Sequence, residues 1–338
     1  MNKMYHSKIS GLGYYVPENI VTNDDLSKIM DTNDEWIQER TGIKERRHII
    51  RGEDTTTSMG VKAAEIAIQR ANVAKEDIDF VIFATLSPDY YFPGPGVLVQ
   101  RDLGLKTVGA LDVRNQCSGF VYAISIADQY IKTGMYKNIL VIGSEVHSTG
   151  LDMSDKGRGV SVIFGDGAGA AVLSREEDLN KGILSTHLHS EGQHAEELAL
   201  IAPGMGKRWV TDIIADNDPN DESYFPYMNG QFVFKNAVVR FSEVINEGLE
   251  ANNLQVSDID LLVPHQANLR ISQFIQQKFK LSDDQVYNNI MNYGNTTAAS
   301  IPIALTEAWE KGKIKSGDVV VLAAFGSGFT WGSVIIRW

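Results

Sequence analysis

The chain has 338 residues, 43% of them hydrophobic, and a formal net charge of −12. That length suffices for two core-bearing units or for one large fold built from two halves, and that composition excludes disorder as the main state. The acidic balance argues against a nucleic-acid binder, whose footprint is basic. No run of 18 apolar residues occurs, and Met1–Ser7 lacks the charged-then-apolar pattern of a signal peptide. A single cysteine builds no disulfide framework, so the expectation is a soluble, cytoplasmic protein without a membrane span.

In chain order, Asp77–Thr85 (DIDFVIFAT) follows the helix tail QRANVAKE and reads as a buried strand. Gly109–Val113 reads as another buried strand, leading through Arg114, Asn115 and Gln116 to Cys117. A helix over Ser118–Ile131, apolar on almost every face, ends near Gly134, and Asn138–Ser144 is the next strand. Phe164–Leu173 (FGDGAGAAVL) lacks a GxGxxG fingerprint and reads as a strand whose glycines permit close backbone approach. The polar run SREEDLN breaks the pattern near residue 178. Beyond it THLHSEG alternates like a strand edge. Its His187 and His189, with His194, have no cysteine or paired carboxylate to suggest a zinc site. The acidic, turn-rich stretch Ile201–Met228 is long enough for a lid or a binding segment, or for surface decoration. Asp258–Gln266 (DIDLLVPHQ) is again a strand, with a helix from near Leu269. NYGNTTAAS turns into a helix from Thr297 to near Gly312, Asp318–Ala324 is a strand, and Phe325–Gly332 bends between two strands.

The chain repeats itself. DIDFVIFAT and DIDLLVPHQ lie roughly 180 residues apart, each behind a similar helix tail, and the helix–strand units starting at Cys117 and Thr297 share the same spacing. A duplicated α/β unit follows, with halves 1–178 and 179–338. Continuous apolar runs such as VIFAT, ILVIG and VVVLAAFG imply sheets covered on both faces, as parallel α/β sheets are. In such sheets chemistry gathers beyond the strand C-termini, and Cys117, His265 and Asn295 all fall there.

Each of these residues also has a plainer reading. A lone cysteine is often a small hydrophobe, but a thiol at a helix N-terminus is drawn toward thiolate by the macrodipole. His265 either caps a helix or presents an imidazole to an oxyanion or a proton. Asn295 alone is a turn or cap residue. The glycine-rich bend is a tight hairpin, or its N–H groups line an oxyanion hole. No GxSxG elbow is present.

QCSGF, VPHQANLRI, GNTTAASIP and GFTWGS in this order, with DEWIQERTGIKERR near the N-terminus, resemble the β-ketoacyl-acyl-carrier-protein synthase III family of thiolase-like condensing enzymes, essentially from Ile9 to Trp338. The resemblance implies a five-layered αβαβα fold of two duplicated halves and a homodimer. It implies that Cys117 takes an acyl group from acyl-CoA, that His265 and Asn295 serve the decarboxylation of malonyl-acyl carrier protein, and that the backbone N–H groups of Cys117 and Ser327 form an oxyanion hole. It further implies CoA binding by Trp36 and Arg158 around the adenine, by Arg40 near the phosphates and by Asn268. Phe92 would reach across the dimer into the partner's acyl pocket, and Arg270, Lys235 and Lys278 would dock the carrier protein unless they are simply solvated helix faces. CoA thioesters are substrates in this scheme, and no cofactor or metal is expected. Arg114-Asn115-Gln116 before the nucleophile, the aromatic SPDYYFPGPG and the Ile201–Met228 stretch depart from the housekeeping pattern. They leave open fatty-acid initiation, a specialised ketosynthase joining longer chains in secondary metabolism, a Cys-dependent acyltransferase, and a non-catalytic binding subunit.

Overall fold

The computed structural model describes residues 5–204, 206, 211, 218 and 221–338. Two sheets carry the architecture. Strands β1 (His6–Tyr15), β4 (Phe80–Ala84), β5 (Gly109–Val113), β6 (Asn138–Glu145) and β7 (Gly167–Glu176) form one sheet in the order β1-β7-β6-β4-β5. Strands β8 (Gly182–Ser190), β11 (Leu261–Pro264), β12 (Val319–Gly326) and β13 (Thr330–Arg337) form the other in the order β8-β13-β12-β11. The two orders superpose element for element. Even the place of β5 has a counterpart, a single parallel bridge from Val286 to Leu262. Short pairs β2 (Ile20–Thr22) with β3 (Glu45–Arg47), and β9 (Leu198–Ala199) with β10 (Tyr227–Met228), lie outside the two sheets.

Helices α5 (Gly119–Lys132) and α10 (Ser300–Glu310) lie between the sheets and touch strands of both. Their apolar side chains, among them fully buried Phe120, Ile124 and Leu305, form one core with Ile82, Val141, Val320 and Leu322. Each such side chain contributes about 1.5–3 kcal/mol by leaving water. The first sheet's outer face is covered by α3 (Thr56–Ala71) and α4 (Pro95–Asp102), the second's by α7 (Gly230–Ala251) and α8 (Leu269–Phe279). Five layers, αβαβα, result. A helix apolar on almost every face is what the middle layer demands, and α5 is such a helix. Close approach of the layers requires a glycine at 143, where a Cβ would meet the Ala298 carbonyl oxygen at 2.3 Å.

The repeat rests on shared turn chemistry. Asp79 accepts hydrogen bonds from the Lys137 and Asn138 N–H groups at the start of β6, and Asp260 accepts one from Val319 at the start of β12. Asp260 follows Asp79 by 181 residues, and Val319 follows Asn138 by the same 181.

Two expectations are corrected. The sheets are mixed rather than parallel: β4 runs parallel to β5 and β6, and β11 to β12, while β1, β7, β8 and β13 all pair antiparallel. Burial on both faces comes from the middle helices, whichever way the strands run. Second, β5 is an edge strand with exposed and half-buried residues, not a buried one. The FGDGAGAAVL segment becomes β7, as read, and THLHSEG supplies the edge strand β8. Much of the Ile201–Met228 stretch lies outside the described residues.

Candidate active site

Cys117 sits in a 3₁₀ turn, Gln116–Ser118, that feeds α5 directly. The equivalent turn in the other half, Thr297–Ala299, feeds α10. Both turns are entered through a residue in the left-handed region, Gln116 at φ 43° and Thr297 at φ 50°. For β-branched threonine this conformation is costly and persists only where the surroundings impose it. The thiol is 7% exposed and packs against Gly326, where a Cβ would stand 2.4 Å from Cys117 Cβ and 2.8 Å from Sγ. The bend after β12 is thus a hairpin and, at the same time, part of the site.

Burial pushes the thiol up to about 12, with the nearby Glu145 carboxyl acting in the same direction. The backbone N–H groups of Ser327 and Cys117 both donate toward the sulfur and oppose this. Desolvation in the resting protein thus acts against the pull of the helix end on the thiol. Glu145, at the end of β6, is itself raised to about 7 by burial, although it accepts hydrogen bonds from Thr85 Oγ1 at 2.9 Å and Ser87 Oγ at 2.6 Å. Iodoacetamide alkylation of Cys117 in the unliganded protein is expected to accelerate with pH without levelling off below about pH 10. A plateau near neutrality would restore the dipole-dominated thiol.

His265 immediately follows β11, its N–H bonded to the Ala323 carbonyl at 2.8 Å. Its Nδ1 lies 2.6 Å from Ser300 Oγ, on the first residue of α10. Ser300 Oγ also accepts the Gln266 N–H at 3.4 Å; in the tautomer in which the Ser300 hydroxyl donates to Nδ1, Nε2 carries the imidazole hydrogen. Burial lowers the ring to about 3, and Nε2 is buried without a hydrogen-bond partner among the described residues. The result is a neutral donor with nothing yet to donate to. Asn295 pairs its backbone with the Ile163–Gly165 segment, and its Oδ1 accepts the Thr297 N–H at 2.8 Å. With Oδ1 occupied, the side chain offers its Nδ2 protons.

Cys117, His265 and Asn295 line one cavity of about 680 Å³, together with Phe325 and Gly326 at its inner end and Trp36, Arg40 and Asn268 elsewhere along it. Cys117 also lines a second cavity of about 630 Å³, with Leu86, Tyr91, His147, Phe164 and Leu200 in its wall. The sulfur stands where the two meet.

Residues 111–192 match the family 3-oxoacyl-[acyl-carrier-protein (ACP)] synthase III, and residues 249–338 match its C-terminal family. The β-ketoacyl-[acyl-carrier-protein] synthase III of Salmonella paratyphi A is 47% identical over 332 residues, covering 98% of this chain and 99% of its own. The chain belongs to the β-ketoacyl-[acyl-carrier-protein] synthase III family. The Sulfurimonas denitrificans member is 43% identical over 334 residues, covering 98% of each chain. The crystal structure of the Aquifex aeolicus 3-oxoacyl-[acyl-carrier-protein] synthase III is 44% identical, covers 98% of this chain and 100% of its own, and superposes with a TM-score of 0.89. This synthase is an acyl-transferring condensing enzyme of the kind that initiates fatty-acid synthesis.

The peripheral positions of the synthase fall into three groups. Arg40 lies 4.6 Å and Arg158 5.5 Å from the Trp36 ring centroid, so both guanidinium groups already stack on the indole. A flat ring entering between Trp36 and Arg158 needs about 7 Å, two contact separations of about 3.5 Å. Arg158 also holds Asp31 at 2.9 Å. Asn268 caps α8 through the Arg270 N–H and donates its amide to the Arg40 carbonyl, which ties α8 to α2 (Asp34–Thr41). Lys235 and Arg270 line the larger cavity and are exposed, whereas Lys278 is exposed near the far end of α8. Phe92 is 81% exposed and lines neither cavity of its own chain, while its neighbour Tyr91 does. His187 and His189 both pair with Glu247, and His194 packs against Phe232 and Phe329. Sequence reading missed Ser300, Glu145, His147 and the contact between Gly326 and Cys117. Ser300 and Gly326 left a trace, in the GNTTAAS segment and the Phe325–Gly332 bend already singled out.

Proposed function

We propose that this synthase joins an acyl primer from acyl-CoA to malonyl-acyl carrier protein through an acyl-Cys117 intermediate. The observation that carries the reading is one cavity wall presenting a buried thiol beside two neutral donors without charge of their own, His265 Nε2 and Asn295 Nδ2. In the first step Cys117 sulfur attacks the primer carbonyl. The thioester bond breaks, and CoA leaves carrying the thiol proton. The N–H groups of Cys117 and Ser327, aimed at the sulfur, hold the transient oxyanion. In the second step the malonyl carboxylate leaves as CO₂ and its electron pair moves onto the thioester enolate, whose oxygen His265 and Asn295 stabilise. The enolate carbon attacks acyl-Cys117, and the released thiolate takes a proton from solvent. Neutral donors suit this step, because a cationic imidazolium would hold the malonyl carboxylate instead of favouring its loss.

Trp36, Arg158, Arg40 and Asn268 would hold the CoA nucleotide, with the arginines stacking on and hydrogen bonding to planar and phosphate groups. Arg270, Lys235 and Lys278 would meet an acidic carrier protein, a local basic surface on an acidic chain. A homodimer would bring the exposed Phe92 to the partner's acyl cavity. The reaction needs no resident cofactor, and the cytoplasm is its expected location. Among the described residues no helix is long and apolar enough to cross a membrane.

The test is intact-protein mass spectrometry after incubation with acyl-CoAs from acetyl to dodecanoyl, with Cys117→Ser as control, followed by malonyl-acyl carrier protein. Short acyl groups should add to Cys117 and discharge as β-ketoacyl-carrier protein. Loading of long chains alone would move the synthase to specialised metabolism, and no adduct would remove the catalytic reading.

A further inference from the structure

His147, next but one after the end of β6, is a buried polar residue that the reaction above does not use. It lines the acyl-side cavity beside Cys117 and stacks on Phe164, with ring centroids 4.6 Å apart. Its Nε2 lies 2.6 Å from Thr297 Oγ1, a contact spanning 150 residues and joining the two halves. Thr297 is the residue whose N–H fixes Asn295 Oδ1 at 2.8 Å, and it does so from a left-handed conformation that a β-branched residue adopts only under constraint. Phe164, the ring under His147, is also the backbone partner of Asn295. His147 therefore touches the Asn295 loop twice, through the Thr297 hydroxyl and through Phe164.

We infer that His147 is a positioning residue for the extender half-reaction, acting through Thr297 to hold the Asn295 amide with Nδ2 turned to the developing enolate. This rests on the reading of Asn295 as an enolate donor. The bond to Nε2 anchors the Thr297 side chain, the anchored side chain keeps the backbone in its left-handed turn, and the turn keeps the N–H on Oδ1. Without that anchor the asparagine amide is free to rotate and to present its oxygen, the wrong pole, to the enolate. Because His147 also walls the acyl cavity, the same contact places the primer chain against the residue that orients the extender's donor.

Three variants of the full chain test this: Thr297→Val, which keeps shape and backbone N–H but removes the hydroxyl; His147→Phe, which keeps the stack on Phe164 but cannot bond Thr297; and Thr297→Ser, which keeps the hydroxyl. For each, acylation of Cys117 by the preferred acyl-CoA is timed by intact mass, and CO₂ release from malonyl-acyl carrier protein is timed separately. Thr297→Val and His147→Phe should slow CO₂ release about 10- to 100-fold, the scale of a small misplacement of a reacting group, and at least about tenfold more than acylation. Thr297→Ser should recover most of that loss. A parallel fall of both half-reactions, a Thr297→Ser protein as slow as Thr297→Val, or a change confined to acyl-chain preference would each overturn the inference. Two unrelated variants at opposite ends of one bond keep the result independent of how well either folds. Failure of the unmodified synthase to release CO₂ would instead strike the proposed function, and this inference with it.

Discussion

His265→Ala is expected to slow decarboxylative condensation by about 10²- to 10³-fold, the usual consequence of removing one preorganised donor from an oxyanion site. The structure makes the effect specific to that step. His265 is 3% exposed, its Nδ1 is committed to Ser300, and its Nε2 hydrogen has no protein partner among the described residues. The donor is therefore desolvated and aimed before substrate arrives, and its removal costs the transition state more than the ground state. Acylation of Cys117, which draws on the Cys117 and Ser327 N–H groups, should fall far less. Because burial holds the ring near 3, condensation should also show no inflection from this histidine around its ordinary pKa of about 6.5. Separate assays of acyl loading and CO₂ release against pH check both statements. An equal loss in the two half-reactions, or an inflection near 6.5 that disappears in the alanine variant, would contradict them.

Gly326→Ala is expected to abolish loading of Cys117 within the time the unmodified synthase needs for completion. The added methyl would stand 2.4 Å from Cys117 Cβ and 2.8 Å from Sγ, far inside contact distance. Neither side has room to retreat. Gly326 is hydrogen-bonded in register with Thr330 at the end of the β12–β13 hairpin, and Cys117 is held by the turn into α5. Overpacking of this kind costs about 1–3 kcal/mol of stability. The larger effect is on geometry, since a shift of the thiol of about 1 Å separates it from its oxyanion donors. Intact mass after acyl-CoA exposure, with a melting curve alongside, measures both. A folded variant that loads normally would show that the hairpin gives way more easily than its pairing implies.

The duplication was legible because it rests on short-range chemistry. The aspartates of DIDFVIFAT and DIDLLVPHQ accept from the N–H groups that start the next strand in each half, so the same letters recur wherever the same turn is built. Cys117 and His265 were legible because each stands just past a strand, whereas Asn295 follows a short helix, Ile290–Tyr293, rather than a strand end as expected, and was legible only through its motif. Strand direction was not, since a run of buried residues such as those of β7 or β12 reports coverage on both faces and is silent about pairing. The thiol's position at a helix end was readable while its burial against Gly326 and the charge of nearby Glu145 were not, because both residues are distant in the chain. His147 stayed hidden for the same reason: its partner Thr297 lies in the other half. The 181-residue offset also pairs His265 with Ala84 and Cys117 with Ala298, so neither half alone carries Cys117, His265 and Asn295.

The junction of the two cavities at one sulfur has a consequence for traffic. A catalyst with independent entrances for its two substrates can hold both at once and needs no stored intermediate. Here the cavity lined by Trp36 and Arg40 is also lined by His265 and Asn295, and Cys117 lines both it and the second cavity. On the proposed reading a CoA arm and a carrier-protein arm share the cavity lined by Trp36, Arg40, His265 and Asn295, and the first leaves before the second enters. On that reading acylation of Cys117 detaches the cargo from its vehicle, and the lane is cleared while the acyl chain waits on the sulfur. The covalent step is in this sense a solution to crowding, since one cavity serves both substrates in turn.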